Sequence, residues 1–167
     1  MTSPPRSLPE SVVVGPYTGR RADIRHLFEL AEDSASALDS YLDDGDVLVA
    51  SQHDCVIGHI QITRVNDAES SSTLEIKNMA VEERSQGKGI GSCLISAAID
   101  ATRAAGSTSL RVATAAADTG NLRFYQRQGF RFLSVERDAF SEATGYPGPI
   151  VIDGIELRDR VWLDRSI

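Results

Sequence analysis

The segment Gln86-Gly87-Lys88-Gly89-Ile90-Gly91-Ser92 constrains this chain more than any other. It lies directly between a strand-like run, Leu74–Val81 (LEIKNMAV), and an alanine-rich stretch with helical spacing. Glycines at such a junction let backbone approach a ligand closely. The helix start that follows offers unpaired N–H groups and the positive end of a dipole. Together these make a seat for phosphate or pyrophosphate, with Lys88 able to add a cation at its rim. The alternative is a glycine-softened turn that binds nothing.

Two familiar phosphate motifs do not fit. A P-loop aligned on Gly87-Lys88 needs glycine at position 82, where Glu82 stands, and Ser or Thr at position 89, which is Gly89. The dinucleotide fingerprint G-x-G-x-x-G would need glycine where Ser92 stands. The pattern that fits is Q-x-x-G-x-G, read on Gln86, Gly89 and Gly91.

Around this segment the periodicity predicts alternating elements. Ser11–Tyr17 reads as a strand, after a proline-bearing tail over Met1–Glu10. Ile24, Leu27, Phe28, Ala31, Ala35, Leu38 and Leu42 mark a helix over 22–42, with a break near Asp33–Ser34. Val47–Ser51 and Val56–Thr63 form a hairpin, and Val65–Ser72 is loop-like. The long helix carries Ile90, Cys93, Leu94, Ala97, Ala98, Ala101, Ala104 and Ala105 on one stripe and ends at Gly106. A strand at Leu110–Thr114, a helix over Asp118–Gln128, a strand at Phe130–Val135, a loop over Phe140–Gly148 and a last strand over Ile155–Leu163 complete the order. This order implies one α/β (α+β) domain over 11–164, with a mixed sheet and helices on both faces.

Composition narrows the function classes. The 167 residues carry 17 Lys plus Arg against 24 Asp plus Glu, a net charge of −7. That balance argues against sequence-independent nucleic-acid binding, which needs clustered cations. Cys55 and Cys93 are too few for a disulfide framework or a paired zinc site, and their apolar surroundings predict reduced, buried thiols. No metal site is expected. No signal peptide or membrane-length apolar run is visible, so a cytoplasmic protein without a membrane partner is expected.

Strand, Q-x-x-G-x-G, long helix, short strand and then Phe124-Tyr125-Gln126-Arg127-Gln128-Gly129-Phe130 resembles the GNAT superfamily of acetyl-CoA-dependent N-acyltransferases. The resemblance runs from about Val12 to Leu163 and rests on two motifs in order, KNMAVEERSQGKGIG and FYQRQGFRF. The Phe, Tyr-Pro and Pro-Ile residues before the last strand are also similar to one small bacterial subgroup.

The resemblance implies a mostly antiparallel central sheet splayed at the cofactor site and acetyl-CoA as cosubstrate. It places the pyrophosphate on the backbone of Gln86, Gly87, Lys88, Gly89, Ile90, Gly91 and Ser92. The pantetheine arm then lies along Met79, Ala80 and Val81 like an added strand. Tyr125 takes the position of the acid that reprotonates the departing thiolate; the alternative is a tyrosine packed in the core. Where family members often carry Asn seven residues before that Tyr, this chain has Asp118, with Asn121 one turn before Tyr125. Either could meet the cofactor arm, and Asp118 could equally be a helix N-cap.

Glu75 is the candidate base for the acceptor amine, or else a strand Glu paired with Lys77. His59 is a second candidate base, whereas His26 and His53 read as surface residues. The implied reaction is acetyl transfer to a primary amine by direct attack. The alternative is a non-catalytic acyl-CoA-binding or sensor module on the same fold. Glu29, Glu32, Asp33, Asp39, Asp43, Asp44 and Asp46 crowd the first helix and its turn, which points to a cationic small-molecule or peptide amine. A homodimer is compatible with the fold.

Overall fold

A computed structural model describes residues 11–65 and 72–167. The expected tail over Met1–Glu10 and most of the expected loop over Val65–Ser72 lie outside the described residues. Among the described residues, seven strands form one sheet in the order β1-β2-β3-β4-β5-β9-β6. They are β1 (Val12–Pro16), β2 (Asp46–Gln52), β3 (Cys55–Arg64), β4 (Thr73–Val81), β5 (Ser109–Ala115), β6 (Arg131–Glu136) and β9 (Arg160–Ser166). A separate hairpin joins β7 (Val151–Ile152) to β8 (Ile155–Glu156). All pairings are antiparallel except β4 with β5.

The helices are α1 (Arg25–Phe28), α2 (Ala35–Tyr41), α3 (Ile90–Ala104) and α4 (Thr119–Arg127). Two apolar clusters show that they cover both faces. One gathers Leu27, Phe28, Leu38 and Tyr41 of α1 and α2 against Val47 and Val49 of β2. The other gathers Leu94, Ile95, Ala98 and Ile99 of α3 and Tyr125 of α4 against Ile60, Ile76, Val112 and Leu163. Burying each Leu or Ile side chain fully contributes about 1.5–3 kcal/mol.

The break expected near Asp33–Ser34 is present. Residues 29–34 leave helical geometry, and Ser34 restarts it as the N-cap of α2, its hydroxyl accepting the Ala37 N–H at 3.2 Å. Such a cap is worth about 1 kcal/mol.

Three expectations need correction. The core face of α3 is Ile90, Leu94, Ile95, Ala98, Ile99 and Thr102, while Ala104 and Ala105 are exposed. The larger Ile95 and Ile99 side chains bury more apolar area than the alanines and set the rotation of the helix. The span Ile155–Leu163 is not one strand. Asp153 and Gly154 both have positive φ, which turns the chain into the β7–β8 hairpin before β9 begins at Arg160. The two cysteines are not buried: Cys55 sits exposed beside the tight turn at His53–Asp54, and Cys93 is half-buried in the first turn of α3. No described helix is long and apolar enough to cross a membrane.

Candidate active site

The parallel pairing of β4 with β5 is short. Thr73–Ile76 run beside Ser109–Val112, and the register stops at Ile76 and Val112. Beyond that point β4 stays paired with β3 and β5 with β9, so the two strands part. The β3–β4 register skips Lys77, the mark of a β-bulge. It inverts the alternation, so that both Ile76 and Met79 pack with the α3 cluster while Asn78 reaches the α1–α2 side. The parting opens a cleft of about 1930 Å³. That exceeds the roughly 300–1,000 Å³ of a small-ligand pocket and leaves room for two reactants.

One end of the cleft is the glycine-rich loop. Gln86 closes it onto β4, its side-chain amide donating to the Val81 carbonyl at 3.0 Å. Gly87 and Gly89 have φ of 72° and 84°, values that disfavour any side chain. Gly89 is the N-cap of α3 and supplies no capping side chain, so the first-turn amides face the cleft without one. Gly91 packs closely under two side chains. A Cβ there would stand 3.2 Å from Phe124 Cζ and 3.5 Å from Met79 Cε. Gln86, Gly87, Gly89, Ile90, Gly91 and Ser92 all line the cleft, as do Met79, Ala80 and Val81. Ser92 also accepts a bond from the Gln128 amide at 3.0 Å, which ties α3 to the end of α4.

Lys88 departs from expectation. It does not line the cleft, and its ammonium donates to the Arg84 carbonyl at 2.9 Å. That local bond to a carbonyl four residues earlier draws the charge away from the anion seat.

Tyr125 sits where α4 meets the cleft and the α3 core. It is 7% exposed, packed edge-on between Phe124 and Phe130. The ring packs in the core, and the residue also lines the cleft. No described residue hydrogen-bonds its hydroxyl. Burial, and then the Asp118 carboxylate, push its pKa above the ordinary phenol value, so it stays protonated at neutral pH. Asp118 and Asn121 line the cleft but satisfy each other. Asp118 caps α4 by accepting the Asn121 N–H at 2.9 Å and the Asn121 side-chain amide at 2.8 Å.

Glu75 also lines the cleft, on the far side of the fork. Its strongest partner is Arg111, directly opposite on β5, whose Nη2 and Nε donate to Oε2 at 3.1 and 3.3 Å. Lys77 is 3.9 Å from the other oxygen. The expected Lys77 pairing is thus the lesser of two, because parallel register sets Glu75 and Arg111 face to face.

His59 is fully buried, with the Phe28 ring 4.0 Å from its own, and burial lowers its pKa to about 4. It does not line the cleft, and it is a neutral structural histidine at physiological pH. His26 and His53 are exposed as expected.

The acidic rim differs most from expectation. Of the seven carboxylates named for it, Glu32 and Asp33 line the cleft. Glu29 and Asp39 are held by Arg25, and Asp43, Asp44 and Asp46 lie outside the cleft lining. The cleft wall instead combines Glu32, Asp33 and Glu75 with Lys77, Arg111 and Arg160. Tyr41, Tyr146, Phe140 and Trp162 supply aromatic walls. These residues were missed because no spacing rule links segments this far apart.

The comparisons decide the family. Residues 18–130 match the model of the Acetyltransferase (GNAT) family. The chain belongs to that family. It is 31% identical over 144 residues to an uncharacterized N-acetyltransferase, YvbK, of Bacillus subtilis, a match covering 85% of this chain and 89% of that one. A GNAT family acetyltransferase from Elizabethkingia anophelis, solved with acetyl-CoA bound, superposes with a TM-score of 0.85 at 30% identity, over 95% of this chain and all of that one. The IAA acetyltransferase of Bacillus cereus superposes with a TM-score of 0.83 at 33% identity, over 94% of this chain and all of that one. The single-domain α/β fold with its mixed, mostly antiparallel open sheet is the fold of these structures.

Proposed function

We propose that this acetyltransferase-family chain moves an acetyl group from acetyl-CoA to a primary amine by direct attack. The observation that carries the reading is one continuous cleft joining the parted β4 and β5 edges to the α3 helix start. The acetyl-CoA bound to the Elizabethkingia relative supports the choice of cosubstrate. Pyrophosphate rests on the amides of Gln86–Ser92, and the pantetheine arm pairs with the free edge of β4 at Met79–Val81.

The amine nitrogen attacks the thioester carbonyl. The N–C bond forms, the C–S bond breaks, and the thiolate takes a proton from the Tyr125 hydroxyl. Glu75 is the candidate acceptor of the proton that the amine must lose, directly or through water. Its ion pair with Arg111 holds it oriented. Asp118 and Asn121 frame the outer wall through their mutual bonds.

The test is calorimetric binding of acetyl-CoA, CoA and ATP, followed by thiol release against an amine panel. Binding of acetyl-CoA with amine-dependent release is the expected result. Binding without release from any amine would favour the acyl-CoA-binding module, and preference for ATP would remove the reading.

A further inference from the structure

The acceptor end of the cleft holds a carboxylate and a guanidinium that do not pair with each other. Glu32 is held by three donors. Tyr146 Oη donates to Oε1 at 2.9 Å, the Ser34 N–H to Oε1 at 3.1 Å, and Tyr41 Oη to Oε2 at 3.1 Å. Behind Tyr41 runs a buried chain whose donors all point the same way. Asn78 Nδ2 donates to Tyr41 Oη at 2.9 Å and to the Phe28 carbonyl at 3.2 Å. That orientation leaves Asn78 Oδ1 to accept from His59 Nε2 at 2.8 Å. A carboxylate fed by aligned donors is fixed in position. Through Tyr41 it is linked to Asn78, one residue from the Met79–Val81 edge.

Arg160 lies across the aromatic wall from it. Its guanidinium covers the Phe140 ring at 5.0 Å, and Phe140 meets Tyr146 edge-on at 4.9 Å. Burial and the Glu32 bond raise the Tyr146 pKa while Arg160 opposes them, so both charges act on this one hydroxyl. Arg160 Nη1 reaches Glu136 at 3.0 Å, at a half-exposed rim position, and its other nitrogens have no partner among the described residues. An exposed pair of that kind contributes little and gives way readily to a ligand. The transfer chemistry uses neither Glu32 nor Arg160.

Resting on the function proposed above, we propose that the acceptor is an amino acid, its ammonium seated on Glu32 and its carboxylate on Arg160, with its body against Tyr146 and Phe140. The balanced charges of the acceptor end favour such a zwitterion over a polyamine, which three cations in the wall would repel. A guanidinium suits a carboxylate through its planar fork. Glu32 positions the nitrogen beside the β4 edge where the acetyl carbonyl lies.

The experiment measures acetyl-CoA-dependent thiol release by the full chain. α- and ω-amino acids are each compared with the amine lacking the carboxylate, and a polyamine is included. The expected result is that the best amino acid exceeds its decarboxylated partner by about 10-fold or more in kcat/KM, as one charge-assisted bond provides. Arg160→Gln brings that ratio close to one, and Arg160→Lys leaves it in between. Glu32→Gln raises KM for both members of a pair while acetyl-CoA affinity, measured by calorimetry, holds. If either variant fails to fold, Tyr146→Phe, which removes one donor to Glu32, reports the same KM rise more weakly. A wild-type preference for the decarboxylated amine or the polyamine overturns the inference, as does a ratio that survives Arg160→Gln. So does acetyl-CoA binding with no amino acid turned over. Absence of acetyl-CoA binding would instead bring down the function itself.

Discussion

Ile76 and Val112 are the last residues that β4 and β5 hold in register, and the cleft begins where their pairing ends. Both are buried in the α3 cluster, so the fork is pinned by packing on one face. On the other face the Glu75–Arg111 pair bridges the same two strands one step earlier. The opening is therefore a fixed feature of the sheet.

The proposed anion seat predicts a graded response in the loop. Gly91→Glu places its Cβ against Phe124 and its charge beside pyrophosphate, and Gly89→Glu adds about 1–2 kcal/mol of backbone strain to the same repulsion. Each is expected to weaken acetyl-CoA binding by about 100-fold or more, that is by at least about 2.7 kcal/mol. Lys88→Ala is expected to change it by less than about 3-fold, since an exposed ammonium bonded to Arg84 contributes little. Calorimetry on variants with native circular dichroism checks all three. A large loss at Lys88 would mean that its side chain reaches the phosphates.

Tyr125→Phe should lower kcat by about 10–10⁴-fold, because leaving-group protonation is lost. Acetyl-CoA affinity should hold, since the ring and its contacts with Phe124 and Phe130 are kept. The raised phenol pKa adds that no alkaline fall in the wild-type rate below pH 10 belongs to this group. An unchanged kcat would leave Tyr125 as a packing residue.

Glu75 and Arg111 can be separated by a double-mutant cycle. Glu75→Gln strands a guanidinium that is 25% exposed, and should destabilise the fold by about 1–3 kcal/mol. Adding Arg111→Met should restore much of that stability in urea unfolding. If Glu75 takes the amine proton, turnover stays low in the double variant although stability returns. Recovery of both together would assign Glu75 to the fold alone.

His59 should make stability depend on pH. Its folded pKa, about 4, lies below the value of about 6.5 expected when unfolded. The folded state therefore binds fewer protons, and stability present above pH 6.5 is lost as pH falls toward 4. The full difference is about 3 kcal/mol. Urea unfolding at pH 7.5 and pH 4.5 should show most of it. His59→Gln, which keeps an N–H for Asn78, should have a shallower dependence. Equal slopes in the two proteins would show that other groups carry the acid sensitivity.

Local rules made much of the fold legible. The Q-x-x-G-x-G turn, the helix that follows it, the β2–β3 hairpin, the break before Ser34 and the Asp118 cap each depend on residues within one or two turns of each other. Glycine conformation, capping and periodicity act over that range, and the sequence displays them directly. The same range explains the misreadings. Ala104 and Ala105 fit a helical stripe, but Ile95 and Ile99 had more area to bury. The Asp153–Gly154 turn fell between the expected loop over Phe140–Gly148 and the expected strand over Ile155–Leu163, although Asp-Gly between apolar residues favours a hairpin.

By itself, then, the sequence determined most of the order of elements, the glycine-rich loop and the family, because these are written in neighbouring residues. Only the tertiary structure decided the contacts of the cleft wall. Glu32 meets Tyr146 across 114 positions, Asn78 meets Tyr41 across 37, and Glu75 meets Arg111 across 36. A one-residue bulge at Lys77 chooses which face of β4 Asn78 serves, and strand register chooses the partner of Glu75. Burial fixes such pairings through the packing of whole sheets and helices, and no local pattern encodes which distant side chains that packing brings together.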